Sequence, residues 1–121
     1  MKNKIILVSA TPLEHGGLTE MDGIPIFQVG IGKTNAASNL TEILWNEEPD
    51  VVVNFGSCGN LKNHKIGAIL QVGEVINDFD TMGLSENPNI KLCNTGIKCF
   101  TTDTMYDSSH TNYTDSYNQS I

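Results

Sequence analysis

The chain has 121 residues, 39% of them hydrophobic, and fourteen acidic against seven basic residues give it a net charge of −7. That length allows one modest core and one domain. The acidic balance excludes nucleic acid or an anionic membrane surface as the main partner, and no apolar run reaches the length of a membrane span.

"KIILVSA", residues 4–10, is a short continuous apolar run and reads as a buried strand. The start "MKNKIILVSATPLE" meets acidic residues too soon for a secretory signal, so the expected location is the cytoplasm. "IPIFQVG", residues 24–30, is a second buried strand. Next comes "KTNAASNLTEILWNEEPD", in which Ala36, Ala37, Leu40, Ile43 and Leu44 recur at helical spacing. Thr34 or Asn35 is placed to cap its start, and Pro49 stops it. "VVVNF" is a third strand, β-branched at its first three positions; "AILQVGEVI" is a fourth and "IKCFTT" a fifth. Strand, helix and strand with short connections imply a parallel crossover, hence an α/β protein with a mixed, mainly parallel sheet flanked by helices. No repeat and no linker marks a second domain, and residues 102–121 read as a polar, poorly ordered tail.

Three small-residue turns follow strand ends: "SATPLEHGG", "VGIGKTNAA" and "NFGSCGN". Open α/β sheets bind ligands outside the carboxyl ends of their strands, so these turns should meet in space. "GIGKT" is not a P-loop, because the required earlier glycine is Phe27, nor a dinucleotide fingerprint, because its last glycine is Asn35. Gly30 and Gly32 then serve to turn strand into helix, with Lys33 a solvated lysine. Cys58, Cys93 and Cys99 show no CxxC spacing, and His15, His64 and His110 lie far apart, so neither a disulfide framework nor a metal site is expected. Asp78 and Asp80 read as a surface turn. No histidine lies near Ser57 or Cys58 in sequence, which disfavours either as a nucleophile.

In this order, "SATPLE", "VGIGKTNAA", "NFGSCGNL", "NDFDT" and "CFTTD" resemble the purine nucleoside phosphorylase and nucleosidase superfamily, most closely the methylthioadenosine/S-adenosylhomocysteine nucleosidases. The resemblance implies a nucleoside phosphorylase-like fold, cleavage of a purine N-glycosidic bond, and a small purine nucleoside as partner. It implies no cofactor, and a possible homodimer. It makes "GSCG" a ligand cradle in which Ser57, Cys58 and Gly59 shape the site through backbone groups and close approach. Asn54 stands where phosphorylases of the family usually carry a phosphate-gripping arginine, which points to water as the attacking group. Glu14 matches the water-activating glutamate, and Gln in its place should lose most turnover while retaining ligand binding. Asp103 matches an aspartate near the base, and Met105 takes the place of a base-stacking aromatic.

Two departures stand out. Between Glu14 and the second strand, where the family has a helix and a hairpin, only "HGGLTEMDG" remains. The family's ribose-holding Met-Glu motif and leaving-group aspartate would follow Ile121. The chain thus resembles the first half of a nucleosidase: apparently truncated, expected to be inactive alone, and short of strands, with an open apolar sheet edge. The alternatives are a nucleoside-binding module without catalysis, a phosphorylase of the same superfamily, and an unproductive fragment.

Overall fold

The computed structural model describes residues 3–77 and 89–101. The chain divides into two compact units, Met1–Cys58 and Gly59–Ile121, whose boundary falls inside the "GSCG" turn. Asp78, Asp80, Asp103, Met105, His110 and the polar tail lie outside the described residues.

The first unit contains β1 (Ile5–Ser9), α1 (Pro12–His15), β2 (Glu20–Met21), β3 (Ile24–Gln28), α2 (Lys33–Glu47) and β4 (Val51–Asn54). Its sheet has the order β2-β3-β1-β4. β1 is central and parallel to both neighbours, in register from Leu7↔Ile26 to Ser9↔Gln28 on one side and from Ile5↔Val51 to Val8↔Asn54 on the other. The crossover from β3 through α2 to β4 therefore steps over β1. The alternation of β1 buries Ile6 and Val8 together with Val29, and Ala36, Leu40 and Ile43 of α2 pack against them. Those three helical residues recur every three or four positions, which sets one stripe of α2 over the sheet.

The helix departs from the expected pattern in three ways. It starts at Lys33, with Gly32 as N-cap at φ 90°, so neither Thr34 nor Asn35 caps it. Ala37 and Leu44, expected on its inner face, are exposed. Lys33 is half-buried at its first position. At the other end Glu48 adopts the left-handed conformation, its N–H donating to Leu44 O at 3.0 Å, and Pro49 follows as expected.

The hairpin expected to be missing is present in reduced form. β2 pairs antiparallel with β3, Met21 opposite Ile24, across the two residues Asp22 (φ 52°) and Gly23 (φ 81°). Two positive φ values in a two-residue connection suit the twist of a tight hairpin, and Asp-Gly supplies them at small cost. A one-turn helix, α1, also survives.

β4 forms where the third strand was expected, and Val51, Val52 and Val53 are 40%, 36% and 42% exposed; among the described residues β4 is the outermost strand of its sheet.

The second unit is a three-stranded sheet, β6 (Asn89–Lys91), β5 (Val72–Asn77) and β7 (Ile97–Thr101), in that order. β5 is antiparallel to β6 and parallel to β7. The fourth expected strand is shorter than its apolar run: Ile69 and Leu70 are exposed ahead of it, and Ile76 is its buried side chain. Both sheets are mixed, with parallel pairing dominant in the first. The expected α/β class with a mixed, mainly parallel sheet is thus observed in the first unit. Among the described residues, no helix is long and apolar enough to cross a membrane.

Candidate functional site

The chain leaves β1 through Ser9 and Ala10 into Thr11-Pro12-Leu13-Glu14. Thr11 is the N-cap of α1, Pro12 opens the helix, and Glu14 stands at its third position in the capping-box relation. A helix this short has little stability from periodicity or burial; its cap defines it. Gly16, at φ 64°, ends it.

The cap turns the Glu14 carboxylate back over the end of β1. Its Oε2 accepts the Ala10 N–H at 2.9 Å and the Thr11 N–H at 3.3 Å. Its Oε1 faces the turn after β4, accepting the Ser57 N–H at 3.2 Å and the Ser57 hydroxyl at 3.4 Å. One half-buried carboxylate thus ties the first turn to the third. The second turn joins through the backbone: the Val29 N–H donates to Ser9 O at 2.8 Å and the Gly30 N–H to Ala10 O at 3.1 Å. The Phe55 N–H donates to Val8 O at 3.1 Å, which fixes the exit of β4. The three strand ends therefore meet, as the topology required.

The "GIG" segment takes the structural role read from its failed motifs. Gly30 has φ 88°, and a Cβ there would stand 3.3 Å from the Asn35 Cβ. Asn35 and Asn39 of α2 donate back to Ile31 O and Val29 O at 2.9 and 2.8 Å, holding the turn to its helix.

Around Glu14 the other sequence-derived residues are unequally placed. Asn54 is the exposed last residue of β4. Ser57 is exposed and its hydroxyl donates to Glu14 Oε1, and Cys58 is an exposed free thiol. Gly59 begins the second unit, has no positive φ, and a Cβ there would meet nothing within 4 Å. The backbone thus does not demand glycine at this position.

The glycine that is demanded is Gly56, which sequence reading passed over. A Cβ at Gly56 would lie 2.8 Å from Glu14 Oε1 and 3.1 Å from its Cδ. Its missing side chain is the space the carboxylate occupies. Gly56→Ala should leave the fold largely intact, since the far end of Glu14 can move, at a cost of about 1–2 kcal/mol for loosened hydrogen bonds. The displaced carboxylate should lower any nucleoside turnover by about 100-fold, the scale of an ångström's misplacement. Thermal melts and a turnover assay on the same protein check both numbers; unchanged turnover would show that Glu14 need not sit there.

Two further groups had no sequence signal. The Ser9 hydroxyl is fully buried and the His15 Nδ1 is buried, and neither has a hydrogen-bond partner among the described residues. The capping relation at Glu14 did have one: Thr-x-x-Glu with proline at the first helical position.

Among known proteins, a family model described as the phosphorylase superfamily matches residues 9–114. A 5'-methylthioadenosine/S-adenosylhomocysteine nucleosidase of Chromohalobacter salexigens is 39% identical over 69 residues, covering 52% of this chain and 27% of that protein. A protein of the same name from Staphylococcus aureus strain JH9 is 35% identical over 80 residues, covering 63% of this chain and 33% of its own length. The chain thus spans about a third of the length of these curated relatives. No solved structure matches it.

Proposed function

The chain belongs to the phosphorylase superfamily, and from that premise we propose that it carries the water-activating part of a purine nucleosidase site. The reaction is hydrolysis of the N-glycosidic bond of a methylthioadenosine- or S-adenosylhomocysteine-like nucleoside, in a soluble, cytoplasmic protein. The observation that carries this reading is the Glu14 carboxylate, held where the three strand ends meet by the N–H groups of Ala10, Thr11 and Ser57.

Hydrolysis of such a bond passes through an oxocarbenium-like state, and a carboxylate beside the sugar both takes a proton from water and faces the developing positive charge. Glu14 has fixed geometry for that task. Ser57 holds it in position, and family resemblance assigns Cys58 and Gly59 to the cradle. Asn54, a neutral amide ahead of the cradle, offers a phosphate dianion no guanidinium fork, which favours water as the attacking group. Asp103 and Met105 are assigned to the base by family resemblance.

A second reading draws on the same hydrogen bonds. A carboxylate offers about four lone-pair directions, and protein donors approach Glu14 from Ala10, Thr11 and twice from Ser57. A Glu14 so occupied suits a nucleoside-binding module without catalysis unless the 3.4 Å hydroxyl contact yields to water.

Incubation with methylthioadenosine or inosine, with and without phosphate, tests the reaction type. Base release independent of phosphate, with the free sugar as product, is expected. A strict phosphate requirement with a sugar 1-phosphate as product would make the protein a phosphorylase. Turnover by the 121-residue chain alone should be slow. Among the described residues Glu14 is the one carboxylate in these three turns, and a purine leaves poorly without an acid to protonate it. Fast turnover would demand an acid from this sequence, with Asp103 the first to replace.

A further inference from the structure

Asn39 is the seventh residue of α2, where asparagine is a poorer helix former than the alanines and leucine around it. Its part-buried side chain reaches ten residues back along the chain, and its Nδ2 donates to Val29 O at 2.8 Å. A carbonyl oxygen only accepts, so the side-chain amide presents its NH2 here. Val29 lies one residue beyond β3 and is 7% exposed, so its carbonyl needs a donor from the protein. The fit is close: a Cβ on Gly30, the next residue, would stand 3.5 Å from the Asn39 Nδ2.

The Val29 carbonyl belongs to the same planar peptide group as the Gly30 N–H, and in a trans peptide the two point in opposite directions. That N–H donates to Ala10 O at 3.1 Å. The Ala10 carbonyl in turn shares its peptide group with the Thr11 N–H, which donates to Glu14 Oε2 at 3.3 Å. Asn39 is thus joined to Glu14 by three hydrogen bonds through two peptide groups, with every donor facing the carboxylate end. We propose that Asn39 is a positioning residue for Glu14, acting through the Val29–Gly30 and Ala10–Thr11 peptide groups.

The connection acts in two ways. The first is mechanical. The Val29–Gly30 peptide is pinned at its oxygen by α2 and at its nitrogen by the turn after β1, which stops a rotation that glycine, here at φ 88°, otherwise permits. Ala10 is held the same way, its oxygen by Gly30 and its N–H by Glu14 Oε2 at 2.9 Å. The second is electrostatic. Hydrogen bonds in a chain polarise one another, by about 10–30% per bond, and this chain ends on a carboxylate, so each donor strengthens the next. The anchor is therefore α2, a 15-residue helix packed on the core, and not the single turn of α1. Ser57 holds the other oxygen of Glu14 from a different turn. Loss of the Asn39 donor should accordingly misplace Glu14 without releasing it.

Asn39→Leu and Asn39→Ala remove the donor while favouring the helix by propensity. Ile43→Val, which trims the same helix where it packs on the core, is the control for lost packing. Amide NMR of the full 121-residue chain reads the connection directly. In both Asn39 variants the Gly30 and Thr11 amide protons should move upfield and exchange about tenfold faster, whereas Ile43→Val should keep the parent shifts. The effect on turnover rests on the nucleosidase reading given above. There the Asn39 variants should lower kcat about tenfold and leave KM within about twofold, the pattern of a displaced base. A parent chain that releases no purine would defeat that reading alone, because the amide shifts still decide whether Asn39 is coupled to the Glu14 turn. A Thr11 amide unmoved in both Asn39 variants overturns the proposal, and so does a kcat no lower than that of Ile43→Val.

Discussion

Glu14→Gln is expected to lower nucleoside hydrolysis by about 10²–10⁴-fold in any preparation that releases purine, the usual contribution of a positioned base. The structure adds a second effect that the sequence reading did not contain. The substitution keeps size, and on that ground ligand binding was expected to survive. The carboxylate, however, is an acceptor on both oxygens, facing the N–H groups of Ala10 and Thr11 on one side and the N–H and hydroxyl of Ser57 on the other. Glutamine has one acceptor oxygen and one NH2 donor. Whichever way its amide turns, the NH2 meets backbone N–H groups. If it faces Ala10 and Thr11, the cap of α1 is lost; if it faces Ser57, the "GSCG" turn is released. Either outcome should cost about 1–3 kcal/mol through unpaired donors. It should also speed hydrogen exchange at Ser57 or at Ala10 and Thr11, so binding weakens along with turnover. Kinetics, calorimetry with a nucleoside analogue and amide exchange on one sample separate the effects. Full turnover with unchanged exchange would reduce Glu14 to a loop glutamate.

That difference shows where sequence reading stops. The strand ends were legible because β1, β3 and β4 are short apolar runs closed by small residues, and α/β topology gathers such ends on one side. Glu14 was legible from its place in "ATPLE", but its four donors were not, since two of them come from Ser57, 43 residues away. Gly56 was invisible for the same reason: the need for an absent Cβ arises only once Glu14 has been placed against it. The reduced hairpin was different. "MDG" carries an Asp-Gly turn signal, but comparison with a longer family segment drew attention to what was missing. The strand of β4 was legible in its continuous β-branched run, but the exposure of its valines was not, because such a run marks a strand without saying how many neighbours it has. Asp103 and Met105 lie outside the described residues, so their place in the site still rests on resemblance.

The largest expected loss of stability lies in the second unit, at Gly73. This buried residue is the second of β5, beside β7, where the register shifts between Val72 and Glu74. A Cβ built there would run into the Thr95 carbonyl oxygen, and would stand 3.0 Å from the Thr95 carbonyl carbon and 3.4 Å from that of Gly96. These are backbone atoms, so no rotamer change relieves the contact. They also cannot retreat freely. The Ile97 N–H donates to Gln71 O at 2.8 Å, while Gly73 O accepts the Leu92 and Cys93 N–H groups at 2.8 and 3.1 Å. Pushing the Thr95–Gly96 turn away therefore strains the connections on both sides of β5. Gly73→Ala should destabilise the unit by about 3 kcal/mol, at the upper end for overpacking. Ile76 is the one buried apolar side chain of this unit among the described residues, so a loss of that size should unfold the sheet. Gly59→Ala is the matched control, because its Cβ meets nothing within 4 Å and its φ is not positive; it should stay within about 0.5 kcal/mol of the parent. Urea melts of the two variants, with amide exchange followed at Val75 and Cys99, make the comparison. Equal stability of Gly73→Ala and Gly59→Ala would mean that β5 and β7 do not approach as closely as the geometry requires.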